Sequence, residues 1–577
     1  MSLDNLSAGI TPVRIAYFSM EVGIVPEVPT YAGGLGVLAG DTLWSAADLN
    51  SKMVGVTLLY RAGYFHQKLD TLGRQLEQAQ SWEPEENLTE LPVRVAVQIG
   101  GAKVLVRGWK YEIHGLRGVT PVYFLDTDLP ENSAEYRSLT GTLYGGSPRY
   151  RLMQEIVLGV GGVRYLHALG YPEFHRYHMN EGHAALLGLE LFHQQVNHGI
   201  AHSEALETVR RHGVFTTHTP VEAGHDRFPI SLVEELLEPA LLRDLHHLAG
   251  LRSCITDGLL NMTRLGAAVS HFVNGVSRRH AEVSQRMFPD LAIHSITNGV
   301  HAVRWAHPAV AKLYDRFLSG WRRDPAELRR AVVLPKRELW EAHQEAKREL
   351  LRGVADQTGL QLDQDRFTVG LARRATAYKR LDLLFESPQE LRALAATFGG
   401  LTVLMSGKAH PHDGAGKKMI ERLTQIARDS LGELSVVFLP DYSLKLAGAF
   451  VQGVDLWLNT PTPPLEASGT SGMKAAMNGV PSLSTLDGWW LEGWIEGVTG
   501  WAIGPDRCAD VKTIDLNAPA HRREDSQELL KKLSTVLGCY YQRRDEFLEV
   551  MRQTIAINGS YFHSQRLVQD YTSQAYC

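Results

Sequence analysis

Cysteine is scarce. Four occur in 577 residues, Cys254, Cys508, Cys539 and Cys577, far apart and without the paired spacing of a zinc or redox site. Thiols so placed fit a reducing compartment and exclude a disulfide framework. An excess of one charge is lacking too: 59 Lys and Arg stand against 64 Asp and Glu, a net charge of −5. That excludes a nucleic-acid partner, which wants a basic face. No run reaches the ~18 unbroken apolar residues of a membrane span. Residues 1–12 are polar, without the charged start and apolar core of a secretory leader. A cytoplasmic protein with no membrane partner is expected. No low-complexity tract and no repeat is found.

What is present is 44% hydrophobic residues, over a length too great for one core. Short apolar runs alternate with amphipathic stretches, the pattern of open α/β sheets. Strands are predicted at 14–19, 54–60, 122–125, 176–179, 213–217 and 292–296, and again at 367–372, 401–406, 435–438 and 454–459. A charged, helix-rich stretch, clearest at 338–352, separates the two series, and 527–574 reads as helical. The division is into residues 1–307, residues 308–545, and a terminal helical segment, 546–577, crossing back to the first domain. Two facing, doubly wound, Rossmann-like domains place a ligand cleft at the carboxyl ends of their strands.

The most informative stretch is Glu466-Ala467-Ser468-Gly469-Thr470-Ser471-Gly472-Met473-Lys474. It lies between a predicted strand and an Ala-rich run, 475–478, that reads as helix. Small residues there present bare N–H groups at a helix start, which favours anions. Glu466 can bind hydroxyls, and Lys474 offers an amine to a phosphate or aldehyde. A second loop, Tyr31-Ala32-Gly33-Gly34-Leu35-Gly36, is either a tight strand–helix turn or a cradle for a ligand. A third, Arg373-Arg374-Ala375-Thr376-Ala377-Tyr378-Lys379-Arg380, carries four cations in eight residues without an acidic neighbour. It is either a solvated basic turn or a polyanion site. Trp489, Trp490 and Trp494 around Glu492 are either core or platforms for sugar rings. Clusters at His175, His178 and His183 and at His410-Pro411-His412-Asp413 invite a metal reading. They lack the HExxH arrangement, and no metal is expected.

These motifs, in this order over residues 14–505, resemble the α-glucan phosphorylases of glycogen, starch and maltodextrin, in their short bacterial and archaeal form. The resemblance implies the GT-B glycosyltransferase architecture and pyridoxal 5′-phosphate held as a Schiff base on Lys474. It implies reversible, retaining phosphorolysis of a terminal α-1,4-linked glucose to α-glucose 1-phosphate. Glucan or maltodextrin, inorganic phosphate and glucose 1-phosphate are then the partners, and a homo-oligomer is compatible with it. Carried over by position, Arg373, Thr470, Ser471, Tyr442 and Trp305 surround the cofactor, and Arg374 and Lys379 face the substrate phosphate. Gly34, Leu35, Asn298, His183, His218, Glu466, Ser468 and Gly469 face the sugar. Ser406-Gly407-Lys408-Ala409 resembles a further family turn. The chain departs from the larger enzymes at Arg373, Thr376 and Ser443, where they have Lys, His and Arg. The alternative is a nucleotide-sugar-dependent glucan synthase of the same fold, which needs no cofactor lysine.

Overall fold

The computed structural model describes residues 14–171, 173–221, 224–251, 253–430, 432–507 and 521–577. The polar start at 1–12 and Cys508 lie outside the described residues. Cys254 and Cys539 are buried, Cys577 is exposed, and all three are free thiols. Among the described residues no helix is long and apolar enough to cross a membrane.

Two parallel-rich sheets organise the chain. The larger has nine strands: β1 (Ile15–Ser19), β2 (Met53–Leu58), β3 (Thr89–Ile99), β4 (Ala102–His114), β5 (Val119–Asp126), β6 (Arg176–Asn180), β7 (Gly213–Thr216), β8 (Phe272–Gly275) and β9 (His294–Ser295). They lie in the order β9-β8-β7-β6-β1-β2-β5-β4-β3. All neighbours are parallel except β3–β4 and β4–β5. The sheet grows one way from β1 through β2 and the other way from β6. Its topological switch point therefore lies between β1 and β6, beyond Ser19 and Asn180.

The smaller sheet has six strands, all parallel: β10 (Phe367–Ala372), β11 (Leu401–Ser406), β12 (Leu434–Leu439), β13 (Leu456–Asn459), β14 (Ser482–Thr485) and β15 (Gly500–Ile503). Their order, β12-β11-β10-β13-β14-β15, is the 3-2-1-4-5-6 winding of a Rossmann sheet. β10 and β11 are buried at every residue, as helix-covered parallel strands must be, and so read as continuous apolar runs. The switch point lies between β10 and β13, beyond Ala372 and Asn459.

The helix Lys336–Thr358 spans the expected 338–352 and stops at Gly359, whose φ of 75° suits glycine. Helices Arg522–Gln542 and Arg544–Gln553 bury Leu533, Leu537 and Phe547 in the core around the smaller sheet. The chain then returns: Leu567, Tyr571 and Tyr576 join a core layer of the larger sheet. Tyr576 Oη lies 2.7 Å from His178 Nδ1, and Tyr571 Oη 2.9 Å from Thr216 Oγ1.

β8, β14 and β15 are not among the predicted strands, and three further differences have local causes. No strand is predicted between 60 and 122, yet β3 and β4 form a long antiparallel hairpin. Its turn, Gly100-Gly101, has φ of 58° and 77°, the left-handed pair that matches strand twist. The predicted 292–296 strand shrinks to the exposed edge pair His294–Ser295. The helix read over 475–478 instead covers Ser471–Ala476; Gly479, at φ 74°, and Pro481 cut it short.

Candidate active site

The basic loop leaves β10 at the switch point of the smaller sheet. Arg373 N donates to Ser406 O (3.1 Å) and Ala375 N to Lys408 O (2.8 Å), so the loop backbone is pinned to the end of β11. Arg380 is buried at a φ of 47°. Its guanidinium donates to Thr460 O (2.9 Å) and Pro461 O (2.8 Å) and pairs with Asp525 (2.7 Å). Arg380 thus ties the loop to the chain leaving β13 and does not face the cleft.

Glu466 arrives from the other side of the same switch point. Its carboxylate accepts from Lys379 Nζ at 2.6 and 2.7 Å and pairs with Arg373, whose guanidinium also bonds Asn459 Oδ1. The reading of four cations without acidic partners is therefore corrected: Arg373 and Lys379 share Glu466, and Arg380 has Asp525. Glu466 lies 93 residues from Arg373 and 87 from Lys379, so no local pattern reveals the pairing. Burial alone would raise the Glu466 carboxyl; Arg373 and Lys379 outweigh it and hold it at about 2. Arg374 forms no ion pair with the described residues. Tyr378, Tyr64 and Tyr144 surround it.

Lys474 sits in the short helix that follows, with Thr470 at its N-cap and Ser471 Oγ accepting from Trp457 Nε1 (3.1 Å). Its amine is buried 4.3 Å over the Trp305 ring and, among the described residues, makes no hydrogen bond or ion pair. Burial lowers it to about 8; nearby Asp41 opposes the shift and Arg304 adds to it. Asp41 is itself engaged, accepting from Trp305 Nε1 (2.7 Å) and Arg304 (2.8 Å).

Asp41 belongs to the helix Gly34–Leu49, which the glycine loop opens. Here Glu21 takes two amides, Ala32 N at 2.5 Å and Gly33 N at 3.1 Å. A Cβ at Gly36 would lie 2.7 Å from that carboxylate, and one at Gly40 2.0 Å from Gly23 O. Close packing demands glycine at those two. A Cβ at Gly33 or Gly34 would meet open space. The amides of Gly34 and Leu35, in the first helical turn, have no intrahelical acceptor and remain as donors. Tyr31 Oη accepts from Leu444 N (2.9 Å), which joins this loop to the smaller sheet's side beside Tyr442, itself half-buried near Arg373.

The larger sheet's switch point supplies the facing wall. Glu181, at φ 80°, accepts from His218 N (2.7 Å) and Thr219 Oγ1 (3.0 Å). His218 Nε2 donates to Asn180 Oδ1 (2.6 Å), and burial pulls the imidazole down to about 4. His183 Nε2 is committed to Asp226 (3.2 Å) and Arg151 (3.0 Å), while its Nδ1 is buried without a partner. Asn298 Oδ1 and Ser468 Oγ are likewise buried and unpartnered. Val276-Ser277 bridges their segments: Asn298 N donates to Val276 O (3.0 Å), and Ser277 Oγ to Ala467 O (2.7 Å). His178 is structural, held neutral by burial at about 3 between Thr216 and Tyr576. Among the described residues no group of three His, Cys, Asp or Glu side chains is placed to hold a metal.

Of the two readings of the tryptophans, core holds for Trp489 and Trp490, which are 2% and 0% exposed. Their segment buttresses the Glu466 turn. Asp487 accepts from Glu466 N (2.7 Å) and Gly488 N (2.8 Å), and Trp489 N donates to Ser468 O (2.9 Å). Burial raises Asp487 to about 8, although both amides favour its charged form. Sequence reasoning passed over Asp487; the Asp-Gly pair ahead of the tryptophans is its only local signal.

A family model for carbohydrate phosphorylases matches residues 163–575. The chain belongs to the carbohydrate phosphorylase family. It is 36% identical to the maltodextrin phosphorylase of Thermococcus litoralis, over 97% of this chain and 70% of that protein. It is 36% identical to the glycogen phosphorylase of Mycobacterium tuberculosis, over 99% of this chain and 72% of that one. The glycogen phosphorylase of Aquifex aeolicus is 33% identical, over 97% and 86%. As a phosphorylase the chain is a glycosyltransferase of GT-B architecture, and membership implies pyridoxal phosphate as cofactor and glucan and phosphate as substrates. The synthase alternative is set aside by the family matched.

Proposed function

We propose that this chain catalyses reversible, retaining phosphorolysis of terminal α-1,4-linked glucose from glycogen or maltodextrin, with Lys474 as the cofactor anchor. The observation that carries this reading is the buried, unpaired Lys474 amine closing the turn that Glu466 opens, where Arg373 and Lys379 pair with that carboxylate. The surroundings fit pyridoxal phosphate. Lys474 offers an amine with no competing partner, Trp305 an aromatic face, Arg373 a charge with its Nε unpartnered, and Thr470 and Ser471 a helix start. Tyr442 lines the side nearest Arg373. When bound, the cofactor supplies a phosphate group able to exchange a proton with the substrate phosphate.

The side chains then divide the work. Arg374, the cation without a carboxylate, binds substrate phosphate, and Lys379 joins it from the Glu466 pair. Substrate phosphate protonates the glycosidic oxygen and attacks the anomeric carbon from the same face. The candidate side chains leave that proton to the phosphate. Glu466, held at about 2, is ionised at neutral pH; His218, at about 4, is neutral, with its Nε2–H given to Asn180. Asp487 lies behind the turn with both oxygens on backbone amides. None of them is both protonated and free to reach the glycosidic oxygen, as the acid of a glycoside hydrolase must be: Asp487, raised to about 8, has both oxygens engaged by its own turn. Asn298, Ser468 and Gly469 meet sugar hydroxyls, His218 borders the glucosyl unit, and Gly34 and Leu35 add amide donors. His183 lines the far side with its free Nδ1.

The test is incubation with maltodextrin and inorganic phosphate. Glucose 1-phosphate should appear in proportion to phosphate; release of free glucose, or transfer only from a nucleotide sugar, overturns the reading. Arg374→Ala should raise the KM for phosphate about ten- to a hundredfold, as expected for charge-assisted bonds worth about 1.5–3 kcal/mol, with cofactor content unchanged. An unchanged KM would displace Arg374 from this role. Only the neutral amine attacks an aldehyde, so a Lys474 held at about 8 sets a third expectation. The rate at which apoprotein takes up pyridoxal phosphate should climb with pH, reach half its plateau near 8 and level off above about 9. A climb continuing past about 10, the range of an ordinary lysine, would contradict it.

A further inference from the structure

The turn Ser406-Gly407-Lys408-Ala409 has no place in the mechanism, yet the phosphate loop rests on it. Arg373 N donates to Ser406 O at 3.1 Å and Ala375 N to Lys408 O at 2.8 Å, one on each side of Arg374. A Cβ at Gly407 would lie 2.3 Å from Arg373 O. Backbone packed this closely moves together, so the turn's position sets that of Arg374.

The turn is held from the other half of the molecule. After β2 the chain makes a small antiparallel hairpin, His66–Leu69 with Gln75–Gln78, whose buried face carries Gln67 and Gln75. Gln67 Nε2 donates to Gly407 O (2.8 Å) and to Gln75 Oε1 (2.8 Å), and its Oε1 accepts from Asp441 N (2.8 Å). Gln75 grips both backbone groups of Ala409, accepting from its N–H (2.9 Å) and donating to its carbonyl (2.8 Å). The two carboxamides pair with the end of β11 much as a further strand would. The hairpin has other anchors. Asp441 pairs with His66 (2.9 Å) and Lys408 (2.7 Å), and Lys417 with Glu77 (2.8 Å). Removing one carboxamide therefore leaves the hairpin docked but loosens the turn.

We infer that Gln67 and Gln75 are positioning residues for substrate phosphate, acting through the 406–409 turn on Arg374. This rests on the phosphate role of Arg374 argued above. It makes the hairpin the route by which one sheet's domain adjusts the anion site on the other.

The test compares Gln75→Met, of similar volume without hydrogen bonds, with Gln75→Glu, which keeps the bond from Ala409 N but turns a carboxylate oxygen on Ala409 O and Glu77, both now served by the Gln75 amide. Leu76→Ala, on the hairpin's exposed face, is the control. With wild type active, Gln75→Met should raise the KM for phosphate about tenfold, the effect of losing two neutral hydrogen bonds. Gln75→Glu should raise it at least as much, because the new oxygen repels Ala409 O, and the control should not change it. In both Gln75 variants the KM for maltodextrin and the pyridoxal absorbance should hold within about twofold. A merely structural hairpin would lower thermal stability and change both KM values alike, or neither. Either pattern, in whichever Gln75 variant folds, overturns the inference. A wild type without phosphate-dependent cleavage would instead sink the functional reading.

Discussion

Lys474→Ala is expected to abolish stable cofactor binding and to reduce phosphorolysis by at least about a thousandfold. The amine is buried, makes no ion pair, and opens toward Trp305 and the helix start at Thr470. No other lysine shares this turn: Lys379 is spent on Glu466, and Lys408 on Asp441 and Phe65 O. Proton transfer by a positioned group contributes about 10²–10⁴ in rate, so loss of the cofactor's phosphate sets the scale. Removing the buried amine takes away a charge with no partner to strand, so the fold should persist. The purified variant should show no near-ultraviolet pyridoxal band while its far-ultraviolet circular dichroism matches wild type. A variant that keeps the band would move the anchor elsewhere.

Glu466→Gln is expected to lower kcat about a hundredfold with the pyridoxal band intact. The carboxylate holds Lys379 and Arg373 together across the switch point. Breaking a buried pair by removing one partner costs about 3–5 kcal/mol, and part of that loss should fall on the transition state if, as proposed, sugar hydroxyls and phosphate share these groups. Gln keeps the shape and one acceptor, so gross rearrangement is not expected. A group held at about 2 is ionised throughout the neutral range, and its removal should leave the shape of the pH–rate profile unchanged between about pH 5 and 8. The sign is definite. A depressed carboxyl adds stability above its unfolded value, and that stability is lost only as pH falls through the folded one. A Gln variant that loses an acidic limb, and recovers with small exogenous acids, would make Glu466 a proton donor.

The smaller sheet was legible almost to the residue at β10 and β11, because strands buried on both faces appear as unbroken apolar runs. The β3–β4 hairpin was not, because Thr89–Ile99 alternates apolar with charged residues and stays half-exposed. The Gly100-Gly101 pair was its readable signal. The Lys474 turn stood out because small residues between strand and helix have a local reason to be there. Its helix ends at Ala476, short of the predicted 478: Ala475 and Ala476 favour helix, while Gly479 and Pro481, which end it, follow outside the motif. The pairing of Glu466 with Lys379 was invisible: it arises only when the winding brings β10 beside β13. The same winding turned two conspicuous tryptophans into core and gave the site-building role to Asp487 behind them.

The most direct test of the central claim, that the Glu466–Lys474 turn carries the cofactor, is borohydride reduction of the native protein followed by proteolysis and mass mapping. Reduction fixes pyridoxal phosphate to whichever amine holds it. One label per chain, on the peptide containing Lys474, is the expected result; a label on any other lysine, or none, contradicts the account.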